Sequence, residues 1–361
     1  MYMIALSNKI CYDAIKALNM HNKKTICTNV HNIKHKGDNM DIKGFTYGWD
    51  GRRGDYLTKE AEKSQDLLFD IGVNWMCLAF HVHQKTFSST EIYFDYRNTL
   101  SDKEIIHTIN RAHERGVKVC LKPVINSTDG VWRALINFPD GDMWGKDHYW
   151  DTWFEYYTAF LCHYAEIAAD TGCEMFCVGC EMSGTERKEK HWRNAIAEVK
   201  KIYKGPLVYN ANHGREKEVS WFDSLDYIGT SAYYKVGKKP GESKENMKQE
   251  WLKVAERLRE VSASLQKPVI FMEIGIRSAS GCAMMPWDFT HTEFERSEEE
   301  QAAFYDSCLE VFSKEDWFTG VFWWDWSTAI YDTQDEADKD IGFNIHLKKA
   351  ETSLKEWYQK L

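Results

Sequence analysis

From Ile42 onward the chain alternates between short apolar runs and longer stretches of helical periodicity. Runs at 42–47, 73–80, 117–124, 174–180, 206–210, 226–231, 268–273 and 319–324 read as strands, because continuous apolar stretches of this length mark strands buried on both faces. Between and after them, 58–71, 101–115, 149–170, 188–203, 245–265, 298–313 and 346–360 carry the spacing of amphipathic helices. Thr58, Ser101 and Ser297 stand where N-caps belong, each with acidic residues just after it. Gly72, Gly116 and Gly172 follow helices and precede strands, where a left-handed closing residue is expected. About eight strands alternating with helices predict an α/β fold, a (β/α)8 TIM barrel over 41–361, rather than an open doubly wound sheet. Residues 1–40 are rich in Asn, Lys and His and weakly patterned. They read as a helical or partly ordered arm, with Met40 a candidate start. No repeat, interdomain linker or phosphate-cradling glycine loop is present, and no cofactor is assigned.

Barrel enzymes carry their chemistry at the C-terminal ends of the strands. Two of the apolar runs stop at a carboxylate there: Cys173–Cys180 before Glu181, and Pro268–Met272 before Glu273. The other strand ends supply Trp49, Asp50 and Arg52; His81 and His83; Lys122, Asn126 and Asp129; Asn210, Asn212 and His213; Tyr233 and Tyr234; Arg277; and Trp324, Asp325 and Trp326. Hydroxyl-binding groups and flat rings on one rim suit a saccharide cleft. Acetal cleavage needs one carboxyl to protonate the leaving oxygen and a second near the anomeric carbon, which makes Glu181 and Glu273 the candidate catalytic pair.

Blander readings stand beside these. Either glutamate alone is equally an ordinary loop-edge carboxylate, and Lys122 is alternatively the partner of a carboxylate on a neighbouring strand. His81 and His83 are read as alternating along their strand, with only His81 assigned to the cleft. Trp324 is assigned to the cleft because its neighbour Trp323 points the other way and can pack. Trp132 and Trp287 lie in loops and serve either as outer sugar platforms or as packing.

Composition narrows the partners. Hydrophobic content is 43% and the formal net charge is -9, which allows a large core and disfavours nucleic acid or an anionic membrane. Fifteen Trp exceed what packing alone asks of such a chain and suit stacking on sugar faces. The 10 Cys are scattered. Cys177 and Cys180 have CxxC spacing, but no second pair completes a zinc site, and on a strand the two are expected to point in different directions. No metal is assigned, and the cysteines read as reduced thiols of a cytoplasmic protein. No run is long enough to span a membrane, and the apolar start Tyr2–Leu6 is too short for a signal-peptide core. Oligomeric state is left open.

The motifs resemble those of glycoside hydrolase family 113, the endo-β-1,4-mannanases among the retaining clan A barrels. Cys177-Val178-Gly179-Cys180-Glu181-Met182 resembles its acid/base strand. Leu121-Lys122-Pro123 through Asp129–Arg133, Asp226-Tyr227-Ile228-Gly229 through Tyr233, and Glu273–Ser278 followed by Pro286-Trp287-Asp288 resemble three further segments, in the same order. The resemblance implies Glu181 as general acid/base and Glu273 as nucleophile. Tyr233 then bonds that nucleophile, Trp324 floors the sugar, and Lys122, His81 and Asn212 bind hydroxyls. Trp49, Arg277, Trp132 and Trp287 complete the expected substrate-binding set. The implied substrate is β-mannan or a manno-oligosaccharide. The same machinery acting on glucan, xylan or glucomannan, and an exo-acting β-mannosidase, are the enzymatic alternatives. A silent carbohydrate-binding barrel and a metal-dependent hydrolase are the others. One departure is Cys180, where the clan usually has Asn before the acid/base, so the common 2-hydroxyl contact is expected to be weaker or to come from elsewhere.

Overall fold

The computed structural model describes residues 40–141, 144–291 and 293–361. The arm expected over 1–40 lies outside the described residues except for Met40, whose side chain is buried.

Eight parallel strands form a closed ring: β1 (Ile42–Tyr47), β2 (Trp75–Gln84), β3 (Lys118–Ser127), β4 (Met175–Cys180), β5 (Leu207–Asn212), β6 (Tyr227–Ser231), β7 (Val269–Ile274) and β8 (Phe318–Trp326). Neighbours in sequence are neighbours in the sheet, and β1 pairs with both β2 and β8. The flanking helices are α1 (Lys59–Phe69), α2 (Asp102–Glu114), α3 (His148–Thr171), α4 (Glu189–Ile202), α5 (Lys244–Leu265), α6 (Glu298–Phe312), the single turn α7 (Gln334–Ala337) and α8 (Lys349–Lys360). This is the (β/α)8 barrel that the alternation predicts.

Local chemistry sets the boundaries. The Thr58 hydroxyl accepts from Ala61 N–H, Ser101 forms a reciprocal capping box with Glu104, and Ser297 accepts from Glu300 N–H. Gly172 closes α3 at φ 76°, a conformation that costs a residue with a side chain. The connection from β5 to β6 has no α-helix, only the 3₁₀ turn Phe222–Ser224. Aromatic rings fill the space instead. Trp221 stacks on Trp192 of α4 at 4.5 Å and meets Tyr209 at 4.7 Å, and all three are fully buried.

Strands β2 and β3 run further than their apolar patterns suggest, pairing from Trp75↔Lys118 to Gln84↔Ser127. Polar residues enter near their ends, His81, His83 and Asn126 among them, so the backbone ladder continues where the hydrophobic signal stops. A two-residue strand, Ile92–Tyr93, adds antiparallel to the end of β2. Lower in the barrel the interior is apolar and sulfur-rich, built from Ile42, Trp75, Cys77, Cys120, Met175, Cys177, Ile270, Met272 and Phe322 among others. Gly44 is required there, because a Cβ would sit 2.5 Å from the Phe322 ring. No helix among the described residues is long and apolar enough to cross a membrane.

Candidate active site

Above the apolar plug, inward side chains turn polar and converge on the two glutamates. Neither glutamate arrives by simple alternation. On β7, Ile270 and Met272 face the barrel interior and Phe271 the helices. Strict alternation would therefore send Glu273 outward. Register irregularities on both sides of β7 in this stretch turn it into the cleft instead. On β4 an irregularity lies between Cys177 and Cys180. It corrects the expectation that these two thiols point apart. Cys177 sits in the interior plug, and Cys180 also faces inward, one level up, against Glu273. Glu181 then takes φ 52°, a left-handed conformation that costs a non-glycine residue roughly 1–3 kcal/mol. Its N–H donates to Asn210 O at 2.7 Å, and the next N–H, of Met182, donates to the Tyr209 hydroxyl at 2.9 Å.

The two carboxylates have opposite surroundings. Glu273 is 3% exposed. Its Oε1 accepts from Lys122 Nζ at 2.5 Å, Asn210 Nδ2 at 3.0 Å and Cys180 Sγ at 3.2 Å, and its Oε2 accepts from the Tyr233 hydroxyl at 3.4 Å. Burial by itself would raise its pKa. The Lys122 ammonium and then the Arg133 guanidinium outweigh burial and hold the carboxyl below the usual range. Glu181 Oε2 accepts from Arg133 Nη2 at 2.8 Å and from Trp132 Nε1 at 3.3 Å. Here burial prevails, Arg133 opposes it, and the negative charge of Glu273 adds to the rise, so Glu181 lies above the ordinary carboxylate range. One carboxyl is thus biased toward the ionised form and the other toward the protonated form. That split is the arrangement general acid and nucleophile require.

Of the sequence-assigned residues, Lys122 is fully buried and spends its ammonium on Glu273. Tyr233 bonds the same carboxylate, and its phenol is pushed far up by burial and then by Glu273. Trp49 and Trp324 meet edge to face at 4.9 Å, and His81 packs on Trp49 at 3.9 Å. Trp323, beside Trp324, instead stacks on Tyr305 outside the barrel at 4.0 Å. His81 accepts from Asn126 Nδ2 at Nδ1 and donates from Nε2 to Trp49 O at 3.0 Å. Burial first, then Arg133 and His83, push it down to about 4, so the ring is neutral. His83 faces the same way, its ring stacked on His81 at 6.3 Å. This corrects the reading that only one of the two could face the cleft, since residues two apart share a strand face. Asn212 stands one strand repeat above Asn210, half-buried at the rim. Trp287 is 41% exposed, with His213 stacked on it at 5.6 Å and the Lys235 ammonium 5.3 Å from its ring centre. Arg277 is enclosed beneath that loop. It donates to Asp288 O and Oδ2 and to His291 O, which leaves its guanidinium engaged with the segment that carries Trp287.

Arg133 and Cys180 were not assigned to the site from the sequence, and Asn210 was placed on the rim without a role. Asn210 was legible, since it shares a strand face with Asn212. Arg133 was not, because it sits in a 3₁₀ turn after a loop, where no periodicity orients it. Among the described residues no group of three or more His, Cys, Asp or Glu is arranged to hold a metal ion.

The family model for Glycoside Hydrolase Family 113 matches residues 45–348. The chain belongs to this family. It is a glycoside hydrolase. Solved structures agree. A GH113 β-1,4-mannanase in a complex is 37% identical, with a TM-score of 0.81, covering 89% of this chain and 99% of that one. The GH113 β-mannanase AaManA from Alicyclobacillus acidocaldarius, in complex with ManMIm, is 37% identical with a TM-score of 0.81, covering 90% and 98%. A β-D-glucuronidase of Dictyoglomus thermophilum, at 18% identity and a TM-score of 0.61, shares the fold alone; this chain spans about half of it, 51%. No curated protein matches the chain.

Proposed function

We propose that this glycoside hydrolase cleaves β-1,4-mannosidic linkages in mannan or manno-oligosaccharides by double displacement, with retention at the anomeric carbon. The observation that carries the mechanism is the split between the carboxyls: Glu273 ionised against Lys122, Glu181 pushed toward protonation by burial. In this reading Glu273 attacks the anomeric carbon while Glu181 protonates the leaving oxygen. A covalent glycosyl-enzyme forms and the aglycone departs. Glu181, now ionised, takes a proton from water, which attacks the same carbon and frees Glu273. Arg133, bonded to Glu181, favours its ionised form and so suits the second step, while burial suits the first. Tyr233, Asn210 and Cys180 fix the nucleophile's orientation, Trp324 and Trp49 floor the sugar, and Trp287 offers an outer platform. Mannan as substrate is supported by the structures at 37% identity, which are β-1,4-mannanases.

Proton NMR of the first products from mannohexaose tests both parts. The β-anomer of the new reducing end is expected before mutarotation, and cello- and xylo-oligosaccharides are expected to be poor substrates. Early α-anomer overturns retention. Glu273→Gln and Glu181→Gln are each expected to lower kcat by about 100-fold or more without loss of fold.

A further inference from the structure

Beside Trp324 the cleft holds a carboxyl that the catalytic scheme does not use. On β8, Trp323 and Trp326 both pack into the strand–helix core. They pair with Phe45 and Tyr47 of β1 across a register irregularity. Three steps on β8 therefore match two on β1. The extra residue places both Trp324 and Asp325 between two side chains that face the helices, with Asp325 next to the ring that meets Trp49. Asp325 is 9% exposed. The groups that act on its charge include Asp50, Asp340 and Glu273, all carboxylates, and the Tyr233 phenol in turn feels Asp325. Among the described residues no group of another residue donates a hydrogen bond to its carboxylate and no cation pairs with it; only its own backbone N–H acts on it as a donor. Other buried carboxylates among the described residues are engaged, for example Asp288 by Arg277, Glu216 by Tyr234 and Thr230, and Glu186 by Tyr209 and Arg215. A buried acid that no other residue bonds or pairs is costly. Proteins keep such groups where function needs them, at the expense of stability.

We propose that Asp325 is a substrate-binding residue that takes a hydrogen bond from a hydroxyl of the sugar lying on Trp324. The inference rests on the glycosidase reading of this cleft and adds to it a specificity-determining contact. The donor that no other residue supplies comes with the ligand, and the site is complete only when sugar is bound. Burial, followed by Asp50 and Asp340, pushes the free carboxyl up to about 7, which a hydroxyl donor would relieve.

The test is calorimetric titration of mannotetraose into Glu181→Gln protein, compared with Glu181→Gln/Asp325→Ala and Glu181→Gln/Asp325→Asn, with Tm measured for each. Loss of one hydrogen bond to a charged acceptor is expected to weaken binding by about 10- to 100-fold in the Ala variant. The Asn variant loses less, because its amide oxygen still accepts. Both are expected to melt at or above the parent's temperature, since a buried acid that no other residue bonds or pairs has been removed. A merely structural Asp325 gives the reverse: unchanged affinity and a lower Tm. Affinity within about twofold of the parent in both variants, or a fall in Tm in both, overturns the proposal. Cellotetraose and xylotetraose are titrated alongside. If the parent binds one of these in place of mannotetraose, the mannan assignment fails by itself, and the Asp325 comparison is read on that ligand.

Discussion

Replacing Lys122 with Met removes the charge that faces Glu273 and keeps the length of the side chain. The ammonium lies 2.5 Å from Glu273 Oε1, with the two side chains 0% and 5% exposed. At that separation and an effective dielectric near 20, two unit charges attract by roughly 7 kcal/mol before desolvation is subtracted. Much of that attraction offsets the cost of burying both ions. The net loss on deleting one partner is about 3–5 kcal/mol, because the other charge stays buried. Asn210, Cys180 and Tyr233 still donate to Glu273, which favours the lower end of that range. Without Lys122, burial is no longer outweighed, and the Glu273 pKa rises. In the wild type its depressed value contributes stability above the ordinary carboxylate pKa, lost as pH falls through the folded-state value. In the variant the sign reverses: the contribution is complete below the ordinary carboxylate pKa and is lost as pH rises toward the raised folded-state value. The stability gap between the two proteins therefore widens from acid to neutral pH. Urea denaturation at pH 5 and pH 8 is expected to show a gap of about 3 kcal/mol or more at the higher pH and a smaller one at the lower. The acid limb of kcat/KM is expected to move to higher pH, with a loss of about 100-fold at mildly acid pH. An acid limb that stays in place, together with a stability gap independent of pH, would refute the claim that Lys122 keeps the nucleophile ionised.

Three further outcomes are expected. Arg133→Met removes the cation that restrains Glu181, so the basic limb of kcat/KM should move to higher pH; it also strands the Cys180 carbonyl, costing roughly 1–3 kcal/mol of stability by chemical denaturation. A basic limb that moves down contradicts the electrostatic assignment. Trp287→Ala, at an exposed ring, should leave Tm nearly unchanged and raise KM for mannohexaose several-fold, roughly 1 kcal/mol, with little effect on mannobiose; equal effects on both substrates would deny it an outer-platform role. Trp192→Ala removes a fully buried ring stacked on Trp221 where the barrel lacks a helix, and should cost about 3–5 kcal/mol of stability in urea titrations, with kcat little changed in the molecules that remain folded.

Much of this protein is readable along the chain. Strand-length apolar runs, capped helices and closing glycines suffice for an eight-stranded barrel, because burial on both faces and cap chemistry are local demands. Glu181, Glu273, Tyr233 and Trp324 are legible as strand-end residues for the same reason: where an apolar strand leaves the core, a polar residue marks the rim. Period-two alternation also explains why Trp323 packs outside while Trp324 faces the cleft. The same alternation places His81 and His83 on one strand face, and Asn210 on one face with Asn212.

Tertiary structure decided what alternation could not. Glu181, Glu273 and the Trp324–Asp325 pair sit at irregularities in the strand ladder, where an extra residue resets which way side chains point. Those resets come from closing a ring of strands with unequal registers, a demand of the whole barrel that leaves no mark in a local pattern. The opposite bias of the two carboxyls is equally non-local. Lys122 lies 151 residues from Glu273 in sequence, and Arg133 lies 48 from Glu181, yet each pair is in contact. The chain by itself therefore named the two acids, while only the closed barrel set the charge that each is biased to carry.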